Sequence, residues 1–114
     1  MNIDKLVLSA MVIGLFAGGA SAAEPIEGQW KDGSVEVVAI KACGDSFCLT
    51  MTTGKYAGQS IGKLKGKGQD YAGEITDPGN KKTYSGSGTV EGKTLKLTGC
   101  ALKIFCRTEE WSRL

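Results

Sequence analysis

Short stretches in which apolar and polar residues alternate recur along the chain, each bounded by glycine or another turn-forming residue. A period of two is the pattern of a β-strand with one buried face, whereas a helix repeats its apolar residues every three or four positions. No segment after residue 23 has a convincing helical period. We therefore expect an all-β domain of about eight short strands, at residues 28–31, 34–41, 47–53, 60–65, 69–77, 82–90, 94–100 and 104–113.

Successive antiparallel strands joined by short turns can hide their edges by closing into an up-and-down barrel. The sequence therefore predicts a small antiparallel up-and-down β-barrel. Alternation assigns one residue in two to its inner face. The expected inward residues are Val35, Val37, Ala39, Leu49, Met51, Tyr71, Gly73, Ile75, Tyr84, Gly86, Gly88, Val90, Leu95, Leu97 and Gly99. Eight short strands enclose little beyond their own side chains, so we expect any internal pocket to be small.

The N-terminus has the pattern of a secretory signal peptide. Lys5 precedes an apolar run over residues 6–17, and Ala20-Ser21-Ala22 supplies the small residues of a cleavage site. We expect residues 1–22 to be removed and residues 23–114 to form one soluble domain, periplasmic or secreted, with no membrane span. An uncleaved anchoring helix is the alternative. No cysteine follows the apolar run directly, which argues against a lipoprotein.

The chain has four cysteines, an even number that favours two disulfides in a small exported domain. We favour Cys43–Cys48 and Cys100–Cys106, because each pair flanks a short loop and residues beside a hairpin turn lie at a separation that a disulfide tolerates. Two long-range bridges are the alternative, and they would close larger loops. A zinc site is the third possibility, but the Cys-x5-Cys spacing of the second pair fits it poorly.

The charge is mild, with 14 Lys and Arg against 12 Asp and Glu and a formal net charge of +2. Lys63, Lys65 and Lys67 alternate with other residues and so lie on one face of an extended segment. Such a stripe is compatible with an anion or a nucleic acid, but lysines in this pattern typically cover a solvated or edge strand. We therefore predict no nucleic-acid partner.

The two ends of the domain carry tryptophans beside a basic residue. Gly28-Gln29-Trp30 opens the first strand, and Trp111-Ser112-Arg113 closes the last. This arrangement resembles the calycin barrels, the lipocalins and their relatives, in which a cation from the last strand packs across the indole at the closed end. The resemblance implies that Trp30, Trp111 and Arg113 have structural roles at the barrel seam. A cation stacked on an indole contributes about 0.5 to 2 kcal/mol.

A second resemblance concerns an exported bacterial family of unknown function, DUF2147. The matching segments are 28–30, 43–48, 73–78, 82–84, 95–100, 106–108 and 111–113. The chain departs from the family pattern at Lys81, where the turn usually has glycine, and at Gly54 to Gln59, which replace a longer insertion. The resemblance implies a compact exported β domain and little about activity.

Catalysis is disfavoured because the chain contains no histidine, which removes Ser-His-Asp and Cys-His arrangements and His-ligated metals. The remaining candidates are carboxylates. Asp77 is read most simply as the first residue of an Asp-Pro-Gly-Asn turn. Glu109 and Glu110, near Arg107, lack a cleft suited to a sugar chain. We predict that the protein is not an enzyme and has no metal and no cofactor.

Arg107 is the residue that most deserves a test. By alternation it shares a face with Phe105, Glu109 and Trp111. One interpretation is an internal ion pair with Glu109, since a buried arginine is normally paired. The other is a site for a small anionic ligand such as a carboxylate, formed by Arg107, Tyr84 and Tyr71.

These residues suggest a non-catalytic binding module for a small ligand. The alternative is an interaction or inhibitor domain that meets a protein of the cell envelope through a segment such as residues 84–88. The partner itself is not identified by the sequence.

Overall fold

The computed structural model describes residues 24–102 and 104–114. The signal-peptide prediction for residues 1–22 lies outside this range. The described chain forms eight strands, close to those predicted. They are β1 (Gly28–Lys31), β2 (Val37–Cys43), β3 (Ser46–Met51), β4 (Ser60–Lys67), β5 (Asp70–Thr76), β6 (Thr83–Glu91), β7 (Thr94–Ala101) and β8 (Phe105–Arg113). Within the described residues, no helix is long and apolar enough to cross a membrane.

The strands close into one barrel in sequential order, with every neighbouring pair antiparallel, so the predicted up-and-down architecture is confirmed. Hairpins with seven aligned residue pairs each join β5 to β6 and β6 to β7. The seam between β1 and β8 is much shorter. It consists of Trp30 aligned with Arg113 and Lys31 aligned with Ser112. Closure therefore depends on a few residues at the two ends of the domain.

Both predicted disulfides are present. Cys43 is bonded to Cys48 across the β2–β3 turn, and Cys100 is bonded to Cys106 across the β7–β8 turn. Cys100 and Cys106 are aligned directly in the ladder. Cys43 and Cys48 lie on a diagonal, because Cys48 is aligned with Lys41. Each bridge holds one hairpin together, at opposite ends of the barrel.

The predicted inner faces of β3, β5, β6 and β7 are confirmed, but that of β2 is wrong. Val35 lies in the β1–β2 turn with a φ of 67° and is 71% exposed. Val38 and Ile40, one residue out of phase with the prediction, are fully buried. Ala39 is covered on the outer face, in a shallow depression beside the Cys43–Cys48 bridge. Apolar residues occur at both odd and even positions of this strand, so alternation alone did not determine which of its faces points inward.

The core fills one end of the barrel, which we call the closed end. The segment before β1 covers it with Ile26, whose side chain is fully buried. The Trp30 indole N–H donates to the Ile26 carbonyl at 2.9 Å. Packed against these two are the remaining buried residues Val38, Ile40, Phe47, Leu49, Met51, Ile61, Leu64, Tyr71, Val90, Leu95, Leu97 and Trp111. The opposite end, where the β1–β2, β3–β4, β5–β6 and β7–β8 connections lie, is the open end.

Candidate ligand-binding cavity

A cavity of about 670 Å³ enters the barrel from the open end. Its volume lies within the range of roughly 300 to 1,000 Å³ that is typical of ligand pockets, so it is larger than the sequence led us to expect. Its apolar and aromatic walls are formed by Met51, Tyr56, Ile61, Ile75, Tyr84, Leu97, Phe105 and Trp111, and its charged residues are Asp32, Glu36, Lys55, Asp77, Arg107 and Glu109.

Tyr84, Gly99 and Arg107 lie on the neighbouring strands β6, β7 and β8 and line the wall of this cavity. Tyr84 lies on a diagonal from Gly99, which is aligned with Gly86 of β6. Gly99 is aligned with Arg107 in the ladder. A Cβ atom placed on Gly99 would lie 3.8 Å from the Cβ of Tyr84. Because glycine has no side chain, space remains beside Gly99 on the cavity wall, between the strands that carry Tyr84 and Arg107. The structure therefore brings two of the three predicted ligand-binding residues together.

Arg107 does not form the internal ion pair with Glu109 that the sequence suggested. The only ion pairs within 4 Å among the described residues are Lys65–Asp45 and Lys96–Glu91, both at the surface. The Glu109 carboxylate instead accepts a hydrogen bond of 3.0 Å from the Trp111 indole N–H. Arg107 is exposed at the cavity wall, so its guanidinium keeps its donors for another acceptor.

The acidic residues at the cavity mouth accept hydrogen bonds from the loops around them. One Asp32 oxygen accepts from the amides of Ser34 and Glu36, at 2.8 and 3.0 Å. Asp77 accepts from the Gly79 amide at 2.7 Å, as the sequence analysis expected for a turn residue. Glu36 accepts from a threonine hydroxyl at 2.6 Å. These carboxylates organise the loops around the cavity.

Tyr71 lies away from the cavity, in the core. Its hydroxyl donates to the Gly68 carbonyl at 2.8 Å, and its ring meets Phe47 edge-on with centroids 5.5 Å apart. Burial raises the pKa of Tyr71 above its ordinary value, and the nearby charges of Glu24 and Glu27 act in the same direction. The structure thus gives Tyr71 a packing position in the core, and Tyr71 does not line the cavity.

At the closed end, the Arg113 guanidinium lies 4.2 Å from the centroid of the Trp30 ring. It also donates to the Glu27 carbonyl at 3.0 Å and to the Pro25 carbonyl. Arg113 therefore holds the segment before β1 against the end of the barrel. Trp111, also from β8, is 4% exposed and forms part of the cavity wall, so it belongs to both the core and the site.

The sequence analysis missed Tyr56, which comes from the β3–β4 connection. Its ring lines the cavity, and the Lys55 ammonium lies 5.6 Å from the ring centroid. A signal was available, because this connection is predicted to lie at the same barrel end as the start of the strand carrying Tyr84. In the described part of the chain, no group of three or more acidic or cysteine side chains is arranged to hold a metal ion.

The fold and the cavity define a small disulfide-bonded β-barrel that is closed at one end and open at the other. A family model described as an uncharacterized protein conserved in bacteria (DUF2147) matches residues 55–113. The chain belongs to this family. The match covers all of β4 to β8, including Tyr84, Gly99 and Arg107, and leaves the Gly28-Gln29-Trp30 segment and the Cys43–Cys48 hairpin outside. Comparisons with curated proteins and with solved structures each return no significant match.

Proposed function

We propose that this protein is an exported, non-catalytic binding module that holds a small amphipathic anion, such as a carboxylate with an apolar tail, in the cavity at its open end. The observation that carries the proposal is the joining of apolar walls to the Arg107 guanidinium and the Tyr84 hydroxyl within one cavity. Ligand pockets combine a mostly apolar lining with a few polar groups that fix orientation.

Arg107 suits an anion because its planar guanidinium carries five N–H donors and matches a carboxylate with two parallel hydrogen bonds. No carboxylate of the described chain lies within 4 Å of it. The Tyr84 hydroxyl already accepts a hydrogen bond from the Asn80 amide at 3.4 Å, which leaves its own proton free to donate. We infer that the anionic group binds beside Gly99, between these two side chains.

The apolar part of the ligand would lie deeper. Met51, Ile61, Leu97 and Trp111 form walls that continue into the core. Covering apolar surface is favourable by about 25 cal/mol per Å² removed from water. A hydrocarbon tail therefore gains from these walls, whereas a purely polar anion does not.

Export and the absence of catalysis are parts of the same proposal. Two disulfides in a domain of this size support an oxidising compartment. Asp32 and Asp77 accept hydrogen bonds within their own loops, Glu36 accepts from the Thr53 hydroxyl of the β3–β4 connection, and Glu109 accepts from an indole. Together with the lack of histidine, these contacts support binding rather than acid–base chemistry.

The test compares decanoate with decanol in calorimetric titrations of the oxidised protein. We expect decanoate to bind more tightly than the neutral alcohol. Arg107→Gln should weaken decanoate roughly tenfold to a hundredfold, the equivalent of a lost hydrogen bond to a charged group. Lys63→Gln, which removes a positive charge far from the cavity, is the matched control. Binding of neither compound, or equal decanoate affinity in Arg107→Gln, would refute the proposal.

A second candidate is the interaction with an envelope protein. Residues 84–88, the segment suggested from sequence, lie inside β6 with strands on both sides and cannot plug a cleft. The β7–β8 hairpin tip fits that role better, because Leu102, Ile104 and Phe105 are 82%, 73% and 66% exposed beside the Cys100–Cys106 bridge. Photo-crosslinking from position 104 in cells tests this candidate, and a pattern unchanged by Leu102→Ser would count against it.

A further inference from the structure

Most of β8 has a strand on one side only. It is aligned with β7 from Phe105 to Ser112, but β1 reaches only Ser112 and Arg113. No other described residue forms a backbone hydrogen bond with residues 105–111. Residues 105–110 are all exposed, a pattern that no other strand of the barrel has. The barrel wall therefore carries a strand edge without a backbone partner among the described residues, at residues 105–111 beside the cavity mouth. The β1–β2 turn approaches this edge at Glu109, whose carboxylate would lie 3.6 Å from a Cβ atom on Gly33.

The direction of the free backbone groups follows from two bonds at the end of β8. The Arg113 amide donates to Lys93, on the β7 side, at 2.9 Å, whereas the Leu114 amide donates to Gln29, on the β1 side, at 3.0 Å. Because backbone groups alternate along a strand, the N–H and C=O of Cys106, Thr108 and Glu110 point toward the free edge. This edge is a template for another strand.

We propose that two copies of this protein pair through the free edges of β8, antiparallel and centred on Thr108. Thr108 is the midpoint of the free residues 105–111, so this register aligns the whole free segment of each copy with that of the other. About six backbone hydrogen bonds would form, two for each of the three facing pairs of residues. Cys106 would face Glu110 of the second copy, and Thr108 would face Thr108 of the second copy.

Charge selects the same register independently. With Thr108 at the centre, Arg107 faces Glu109 of the second copy, and the reciprocal pair forms on the other side of the axis. Moving the centre by one residue would place Arg107 opposite Arg107 or Glu109 opposite Glu109. Directly facing like charges are destabilising and opposite charges are stabilising. The opposite charges of Arg107 and Glu109 therefore favour the register centred on Thr108 and disfavour the two registers shifted by one residue.

The exposed hairpin tip fits this arrangement. In an antiparallel pair centred on Thr108, Phe105 of one copy faces Trp111 of the other, and Ile104 extends toward the β1 end of that copy. Ile104 and Phe105 are 73% and 66% exposed in the single chain, so pairing would cover apolar surface that is otherwise in water. Arg107 has five N–H donors, so it can meet Glu109 of the second copy and a cavity ligand together.

Sedimentation velocity over a range of concentrations tests the pairing. We expect the oxidised protein to form dimers, and Arg107→Glu and Glu109→Arg each to raise the dimer dissociation constant by roughly tenfold or more, because each places two like-charge pairs at the interface. An equimolar mixture of the two variants should restore dimers, since Glu and Arg then face each other at both positions. Lys63→Glu, away from this edge, is the control and should leave the constant unchanged.

A wild-type protein that stays monomeric would overturn the proposal, and so would a dimer that is insensitive to the reversals or not restored by mixing. Thr108→Pro adds a further check, because it removes the central edge N–H and should weaken the dimer while far-ultraviolet circular dichroism confirms the fold. The readout is oligomeric state, so the result is independent of whether decanoate binds.

Discussion

Replacing Arg113 with methionine should destabilise the barrel more than any other exchange of a single surface cation. Arg113 stacks on Trp30 at 4.2 Å and donates to the carbonyls of Glu27 and Pro25. The stack contributes about 1 kcal/mol, and hydrogen bonds from a charged donor contribute about 1.5 to 3 kcal/mol. Because the two hydrogen bonds share one partly exposed guanidinium and do not add fully, we expect the free energy of unfolding to fall by about 3 kcal/mol, less than the sum of these contributions. In a domain of this size, that loss lowers the Tm by about 12 to 24 °C.

Equilibrium urea unfolding, followed by tryptophan fluorescence and circular dichroism, measures this change. Arg107→Met, compared with the wild type at a concentration at which both are monomeric, is the matched control. Within one chain Arg107 has no stacking partner and no ion pair among the described residues, so its stability should stay within about 0.5 kcal/mol of the wild type. Arg113→Lys should be intermediate, since lysine keeps the charge but not the planar fork. If Arg113→Met and Arg107→Met were equally stable, the stack and hydrogen bonds of Arg113 would not stabilise the closed end of the barrel.

Three further results are expected. Gly99→Val should fill the space beside Gly99 and weaken decanoate binding about tenfold or more while changing the Tm little, because its Cβ meets only an ordinary contact at 3.8 Å. Gly73→Val should prevent folding in the same assays, because its Cβ would overlap the backbone carbonyl oxygen of Lys63. Lys81→Gly should stabilise the protein by about 0.5 to 1 kcal/mol in urea unfolding, because Lys81 has a φ of 62°, and no gain would argue against strain at this turn. Burial raises the pKa of Tyr71, so the neutral phenol contributes to stability fully below the unfolded pKa of about 10, and this contribution is lost as pH rises through the folded pKa. The unfolding free energy should therefore decline with pH in this range, and Tyr71→Phe should make the decline less steep. An equally steep decline in Tyr71→Phe would contradict this expectation.

Local pattern was enough to predict the strand count and both disulfides, because turn residues and hairpin spacing are encoded within a few positions. The inward face of β2 could not be predicted from alternation, since both possible faces are apolar. One face would carry Val35, Val37 and Ala39, and the other carries Val38 and Ile40. The structure resolves this ambiguity through the Asp32 turn, which delays the start of the strand to Val37 and exposes Val35.

The candidate site was only partly predictable. Tyr84 was found because alternation placed it on the inner face, and Arg107 because alternation placed it on the same face of its strand as Phe105, Glu109 and Trp111. Tyr71 has the same alternation, but it lies nearer the closed end, where the core is filled, and alternation does not report depth along a barrel. The lid formed by Ile26 and the contribution of Tyr56 depend on segments outside the strands, whose positions follow from tertiary contacts rather than from a period.

The central claim is that the open-end cavity, with Arg107 beside Gly99, is where a small amphipathic anion binds. Titrating decanoate into ¹⁵N-labelled oxidised protein and following the amide signals by NMR tests it most directly. We expect saturable shifts at Tyr84, Gly99 and Arg107, and little change at Gly68 and Tyr71 near the closed end. Shifts centred on the closed end or the outer face, or none at all, would contradict it.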